Sequence, residues 1–96
     1  MQHEKAGVIT RLRSAEGHLG AVIGMLEVGV PCEQVLHQLI AVQAAIRIAG
    51  TRLLVCQVEA SAGVIVHSPC PEERIAELNR LANLCQTMMK SPKLGR

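Results

Sequence analysis

Hydrophobic residues follow the α-helical period along most of the chain. In the longest such stretch they recur every three or four residues, which is the helical and not the strand period. These positions are Val35, Leu36, Leu39, Ile40, Val42, Ile46, Ala49, Leu53, Leu54 and Val58. Pro31 suits the start of a helix, because its missing N–H would have no partner there. We therefore predict a helix over residues 31–62, about 45 Å long at about 1.5 Å per residue.

A first helix is predicted over residues 4–27. Its apolar positions lie close to a seven-residue repeat. They are Val8, Ile9, Leu12, Ala15, Leu19, Val22, Ile23 and Leu26. Gly29 is expected to end this helix, since glycine is the usual residue just past a helix C-terminus. The hinge before Pro31 is short, so the first two helices should be antiparallel neighbours.

The region after the second helix contains the remaining elements. Gly63 is expected to end the second helix, and the β-branched run at 64–66 is compatible with a short extended piece. Pro71, followed by two acidic residues, predicts the start of a third helix over residues 71–89. Residues 91–96 form a basic tail that should fray.

The predicted second helix is too long for the rest of a 96-residue chain to cover. The simplest solution is that the same helix from two chains packs head to tail. That arrangement places the start of the helix in one chain beside its far end in the other, and the two-fold axis makes two equivalent sites. We therefore predict an all-α, single-domain protein over residues 1–96 that forms an antiparallel dimer.

The composition narrows the range of functions. Phe, Tyr and Trp are absent, so base stacking on aromatic rings, the usual grip on single-stranded nucleic acid, is excluded. The net charge of +2 is small, so the placement of basic residues matters more than their number. With no long uncharged apolar run and no signal-peptide pattern, we expect a cytoplasmic protein with no membrane partner. We expect no enzyme activity, because catalytic triads, paired carboxylates and phosphate loops are not recognisable.

Four cysteines are candidates for chemistry: Cys32, Cys56, Cys70 and Cys85. In the cytosol they should be reduced. Cys32 lies in the first turn of the long helix, where unpaired N–H groups favour negative charge, and the thiolate is the form that binds metals or attacks electrophiles. The alternative for Cys32 is a buried, inert cysteine. Cys85 has the spacing of a core residue.

Several motifs together resemble a known family. Residues 11–19 read R-L-R-S-A-E-G-H-L, and Cys32 is followed by V-L-x-Q-L-x-A-V-x-A-A-I-R over residues 35–47 and by L-L at 53–54. This pattern resembles the CsoR/RcnR/FrmR family of metal-sensitive transcriptional repressors over about residues 5–62. The resemblance implies a three-helix protomer, an antiparallel dimer and a dimer-of-dimers tetramer. It also implies binding to operator double-stranded DNA, with release when a metal ion or reactive small molecule engages the cysteine site.

The resemblance also places the effector site. Copper sensors of this family combine the first cysteine with a histidine and a second cysteine, and this chain has Gln57 and Ser61 at those two positions. Cys56 lies about 100° round the helix from Gln57 and is either a substitute ligand or a core cysteine. The predicted metal-site residues are therefore Cys32, Cys56, Gln57 and Ser61. Cu(I) or another soft metal is the first expected effector, with a reactive sulfur species or an aldehyde as alternatives.

A further group of polar residues lies near the start of the third helix. Cys70 has the same helix-terminal placement as Cys32, and His67 precedes it by three residues. Together with Glu77 these residues are either additional ligands or a local loop cap.

The candidates for DNA contact are basic residues in the first two helices: Lys5, Arg11, Arg13, Arg47 and Arg52. No helix-turn-helix motif is recognisable, so a flat oligomer face should contact phosphates, with an affinity that falls steeply with salt. The alternative is that these residues are simply a solvated surface. The corresponding alternative function is a helical oligomer that does not bind DNA and serves in metal buffering or scaffolding.

Overall fold

The computed structural model describes residues 2–90, and the side chains of residues 5–90. Within this range the chain forms three α-helices and no strand: α1 (Gln2–Glu27), α2 (Cys32–His67) and α3 (Pro71–Met89). The all-α, three-helix fold predicted from the hydrophobic period is therefore confirmed. The predicted tail at 91–96 lies outside the described residues.

The turn between α1 and α2 is set by Gly29. This glycine has a φ of +84°, a left-handed conformation that residues with a Cβ avoid. Its N–H donates to the Leu26 carbonyl at 3.2 Å, and the Val30 N–H donates to the Met25 carbonyl at 3.0 Å. These two bonds are the Schellman pattern, which satisfies the last carbonyls of a helix. The predicted end of the first helix at Gly29 is thus confirmed.

The boundaries of α2 differ from those predicted. Pro31 lies just outside the helix, and its carbonyl accepts hydrogen bonds from the Gln34 and Val35 N–H groups. The expected end at Gly63 and the extended piece at 64–66 are wrong, since α2 continues to His67. One glycine inside a helix is a penalty of about 1 kcal/mol, too small to end it. The helix ends before Ser68-Pro69, where proline disfavours a helical conformation of the preceding residue.

The start of α3 follows the predicted signals. Pro71 is the first helical residue, and Glu72 and Glu73 lie in the first turn. The carbonyl of Cys70 accepts the hydrogen bond from the Arg74 N–H at 3.1 Å. Proline at this position has no N–H to leave unpaired, and acidic side chains complement the positive end of the helix dipole.

The chain divides into two compact units, Met1–Arg52 and Leu53–Arg96. In the N-terminal unit, α1 runs antiparallel to the first part of α2, as the short hinge predicts. The buried residues are small and recur every seven positions: Val8, Ala15 and Val22 on α1, and Val35, Val42 and Ala49 on α2. A hydrogen bond of 2.8 Å between the side chains of His18 and Gln38 also joins the two helices.

In the C-terminal unit, α3 lies against the last part of α2. Cys56 and Ser61 of α2 are buried, whereas α3 has no buried residue. Polar contacts also join the two helices. The Arg74 Nε donates to the Ile65 carbonyl at 2.9 Å, and the Ser61 hydroxyl donates to the Glu77 carboxylate at 2.6 Å.

Many apolar side chains remain exposed on a single chain. On α2 they are Leu36, Ile40, Ile46, Ile48, Leu53, Val55, Val58 and Val66. An 18-residue window of α2 has a mean hydropathy of 1.6, and 17% of it is buried. Its length and composition would suit a membrane span, but core helices of soluble proteins meet the same test. An apolar surface of this extent marks an interaction face.

Candidate effector site and DNA-binding residues

Cys32 is the first residue of α2, and its side chain is exposed. Pro31 fixes the chain just before it, so the thiol lies at the N-terminus of a 36-residue helix. The first N–H groups of a helix have no intrahelical acceptor and favour negative charge nearby. Glu33 supplies an acidic group in the same turn. The alternative of a buried, inert cysteine does not fit the exposure of Cys32.

The other predicted site positions belong to a hydrogen-bonded group, which we call the Ser61 network: Gln57, Ser61, Glu77 and Arg80. The Gln57 Nε2 donates to the Ser61 Oγ at 3.0 Å. The Ser61 hydroxyl in turn donates to the Glu77 Oε2 at 2.6 Å. The Arg80 Nη2 donates to the same carboxylate oxygen at 2.9 Å, and its Nε lies 3.4 Å from the Oε1. The network therefore joins α2 to α3.

Burial within the network decreases from Ser61 through Glu77 to Arg80. Ser61 is 1% exposed, the Glu77 side chain is 15% exposed and the Arg80 side chain is 58% exposed. The pKa of Glu77 is lowered, chiefly by the hydrogen bond from Ser61 and then by that from Arg80. Both donors stabilise the charged carboxylate. These hydrogen bonds thus favour the carboxylate form of Glu77.

Cys56 lies beside this network in sequence but is buried. It continues the seven-residue spacing of Val42 and Ala49, which are buried residues of α2. This placement is typical of a free cysteine that packs as a small apolar residue. Of the two alternatives for Cys56, the burial favours the core residue.

A soft-metal site requires sulfur or imidazole donors. Thiolates and thioethers select Cu(I), whereas Gln57 and Ser61 offer an amide and a hydroxyl. Among the described residues there is no group of three or more His, Cys, Asp or Glu side chains placed to hold a metal ion. Gln57 and Ser61 therefore supply no soft ligand for a Cu(I) centre. Cys32 belongs to the other unit of the chain.

The residues around the start of α3 form a local cap. The Cys70 N–H donates to the Ser68 Oγ at 3.2 Å, and the Cys70 thiol donates to the Glu72 carboxylate at 3.3 Å. The pKa of Glu72 is lowered, first by a backbone N–H and then by this thiol. Glu77 bonds Ser61 instead, and His67 is the exposed last residue of α2. The loop cap, rather than an added ligand set, is the alternative that this geometry supports.

The five predicted DNA-contact residues all belong to the N-terminal unit and are all exposed: Lys5, Arg11, Arg13, Arg47 and Arg52. The single ion pair among side chains 5–90 joins Arg80 to Glu77, so none of the five is paired with a carboxylate there. Arg11 and Arg13 are about 200° apart round α1, and they therefore point in different directions. Among the described side chains, no carboxylate neutralises these five positive charges, so they are available to an anionic partner.

Sequence reasoning missed two polar contacts. Arg80 was not among the predicted site residues, although an arginine three positions after Glu77 on a helix is a recognisable pairing pattern. The contact between His18 and Gln38 was missed as well, because it depends on how α1 and α2 face each other. His18 is half-buried and therefore not a fully exposed surface residue.

A comparison with protein-family models shows to which family the chain belongs. The model described as metal-sensitive transcriptional repressor matches residues 4–89. The chain belongs to the metal-sensitive transcriptional repressor family. The resemblance drawn from the motifs is therefore confirmed, and it extends through α3. The family is one of transcriptional repressors and not a class of enzymes. No curated protein and no solved structure matched the chain significantly.

Proposed function

We propose that this repressor binds operator double-stranded DNA and releases it when an effector engages an inter-subunit site containing Cys32. The observation that carries the proposal is the family match over residues 4–89, which includes an exposed thiol at the N-terminus of α2. The place of action is the cytoplasm, where such a thiol stays reduced.

The DNA contact is made by the exposed cations of the N-terminal unit. Lys5, Arg11, Arg13, Arg47 and Arg52 have no carboxylate partner within the described side chains, so their charge is free to meet phosphates. Binding through phosphates is strongly salt-dependent, because each contact releases condensed counterions. The chain has no aromatic residue to stack on bases, which favours the duplex over single strands.

Self-association supplies the rest of the binding surface. α2 leaves eight large apolar side chains exposed on a single chain. Exposed apolar patches of this kind mark interaction sites. An antiparallel dimer would cover these side chains, and two dimers would form a homotetramer that repeats the basic residues across a wide face. A closed symmetric assembly of this kind also repeats the effector site.

Release of DNA follows from linkage between two sites. An effector that binds the DNA-incompetent conformation more tightly shifts the protein toward it, by no more than the difference in its two affinities. The Cys32 thiol is the reactive group of the proposed site. A soft metal ion such as Cu(I) would have to bind through Cys32 and ligands other than Gln57 and Ser61, and it is tested beside thiol-reactive molecules such as a persulfide or an aldehyde.

A gel-shift titration with the protein's own promoter tests the proposal. We expect binding that weakens steeply with salt and is lost on adding the effector. Cys32→Ala should leave DNA binding intact and abolish the response, while the control Cys70→Ala retains both. A normal response of Cys32→Ala would overturn the assignment of the sensor.

The same titration distinguishes the alternative of a helical oligomer for metal buffering or scaffolding. That protein would assemble without a salt-dependent shift. As a control for charge, Arg13→Ala and Arg47→Ala should each weaken the shift, whereas Lys90→Ala, at an exposed position of the C-terminal unit, should not.

A further inference from the structure

The Ser61 network uses nearly all the hydrogen-bonding capacity of its inner residues. A hydroxyl has one hydrogen to donate and two lone pairs. The Ser61 hydroxyl gives its hydrogen to Glu77 at 2.6 Å and accepts from Gln57 at 3.0 Å. The Ser61 oxygen keeps one lone pair, but the residue is 1% exposed, so a cation could reach that lone pair only if the surrounding contacts opened.

The charge of the network is also balanced internally. The anionic Glu77 contacts the guanidinium of Arg80 at 2.9 Å. A metal ion arriving at Glu77 would therefore meet an existing positive charge, and no thiol or imidazole of the network would bind it. Ser61 is 1% exposed, so water cannot easily replace the contacts that such an ion would disrupt.

From this geometry we infer that Gln57 and Ser61 are specificity-determining residues. They disfavour the binding of soft metal ions at the part of the effector site that lies toward the C-terminal end of α2. The contact that Ser61 makes between α2 and α3 is a hydrogen bond to Glu77. The inference rests on the proposed function, because it takes this region as part of the repressor's effector site. Its effector then acts on the thiol of Cys32 without a ligand from Gln57 or Ser61.

The test is a Cu(I) titration of the full chain, in competition with a chromogenic Cu(I) chelator under anaerobic, reducing conditions. The double variant Gln57→His/Ser61→Cys restores an imidazole and a thiol at the two positions. We expect it to bind Cu(I) at least about 100-fold more tightly than the wild type, since even outer-shell partners change metal affinity about 10- to 100-fold. Adding Cys32→Ala to the double variant should remove this gain.

A matched control places the same two side chains elsewhere on α2. Glu59→His/Gly63→Cys has the same four-residue spacing at two exposed positions, and a Cβ added at Gly63 meets no atom within 4 Å. This control should gain much less affinity. An equal gain in the control, or no gain in the double variant, would show that the two positions do not determine specificity.

Cu(I) binding by the wild-type protein can overturn the inference. If this protein already binds one Cu(I) per protomer tightly, and Gln57→Ala or Ser61→Ala weakens this binding about tenfold or more, the inference is overturned. Tight binding that is unchanged in both variants supports it, because the ligands then lie elsewhere. The titration contains no DNA, so a failure of operator binding would refute the proposed function and leave this result standing.

Discussion

The two units of the chain hold their helices together by different means. In the N-terminal unit, small apolar residues at seven-residue spacing bury the contact between α1 and α2. In the C-terminal unit, α3 buries no residue and is attached through Ser61 and Arg74. An apolar contact is non-directional and tolerates small shifts, whereas a hydrogen bond depends on distance and angle. The contact between α3 and α2 therefore depends on the geometry of particular polar side chains, whereas the contact between α1 and α2 depends on burial.

The largest expected effect is in the apolar contact of the N-terminal unit. Val42 is buried, so Val42→Asp places an unpaired charge in an aliphatic environment. We expect a loss of about 4 kcal/mol or more in the free energy of unfolding, measured by chemical denaturation at fixed protein concentration. The neighbouring exposed residue provides the control, since Gln43→Asp adds the same charge in water. Equal losses from the two variants would contradict the assignment of Val42 to the core.

A smaller effect is expected in the polar contact of the C-terminal unit. Ser61→Ala removes the hydroxyl and leaves its two partners without this hydrogen bond. Alanine also favours helix more than serine does, so Ser14→Ala, at an exposed position of α1, measures that gain alone. We expect Ser61→Ala to be less stable than Ser14→Ala by about 1 to 2 kcal/mol. Identical denaturation midpoints for the two variants would mean that the Ser61 hydroxyl contributes no stability.

The smallest effect is expected at the exposed end of the Ser61 network. The Arg80 side chain is 58% exposed, and exposed ion pairs contribute little to stability. We expect Arg80→Gln to destabilise less than Ser61→Ala, by an amount that shrinks as salt is added. Arg52→Gln is the control, since Arg52 has no ion pair among the described side chains. A loss from Arg80→Gln that exceeds that from Ser61→Ala would reverse the order of importance proposed for the network.

Local signals in the sequence were sufficient for most of the fold. The seven-residue recurrence of apolar positions, Gly29 and Pro71 each act within one turn of a helix, so they predicted the helices and two of their ends. The end of α2 is not where Gly63 predicts it, because the nearby Pro69 has the stronger steric effect on the helix.

The candidate site was predictable in its positions but not in its contacts. The family motif locates Cys32, Gln57 and Ser61, since these positions are defined along α2. Which side chain of α3 meets Ser61 depends on how two helices pack, and no spacing within one helix contains that information. The pairing of Arg80 with Glu77 is recognisable from their spacing on one helix, but its place in the network follows only from the contact of Glu77 with Ser61.

A double-mutant cycle tests the attachment of α3 to α2 most directly. Its four members are the wild type, Ser61→Ala, Glu77→Ala and the double variant, compared by chemical denaturation at one protein concentration. Because the two side chains share one hydrogen bond, the double variant should be more stable than the sum of the two single losses predicts. Losses that simply add would contradict the account, since Ser61 and Glu77 would then stabilise the protein independently.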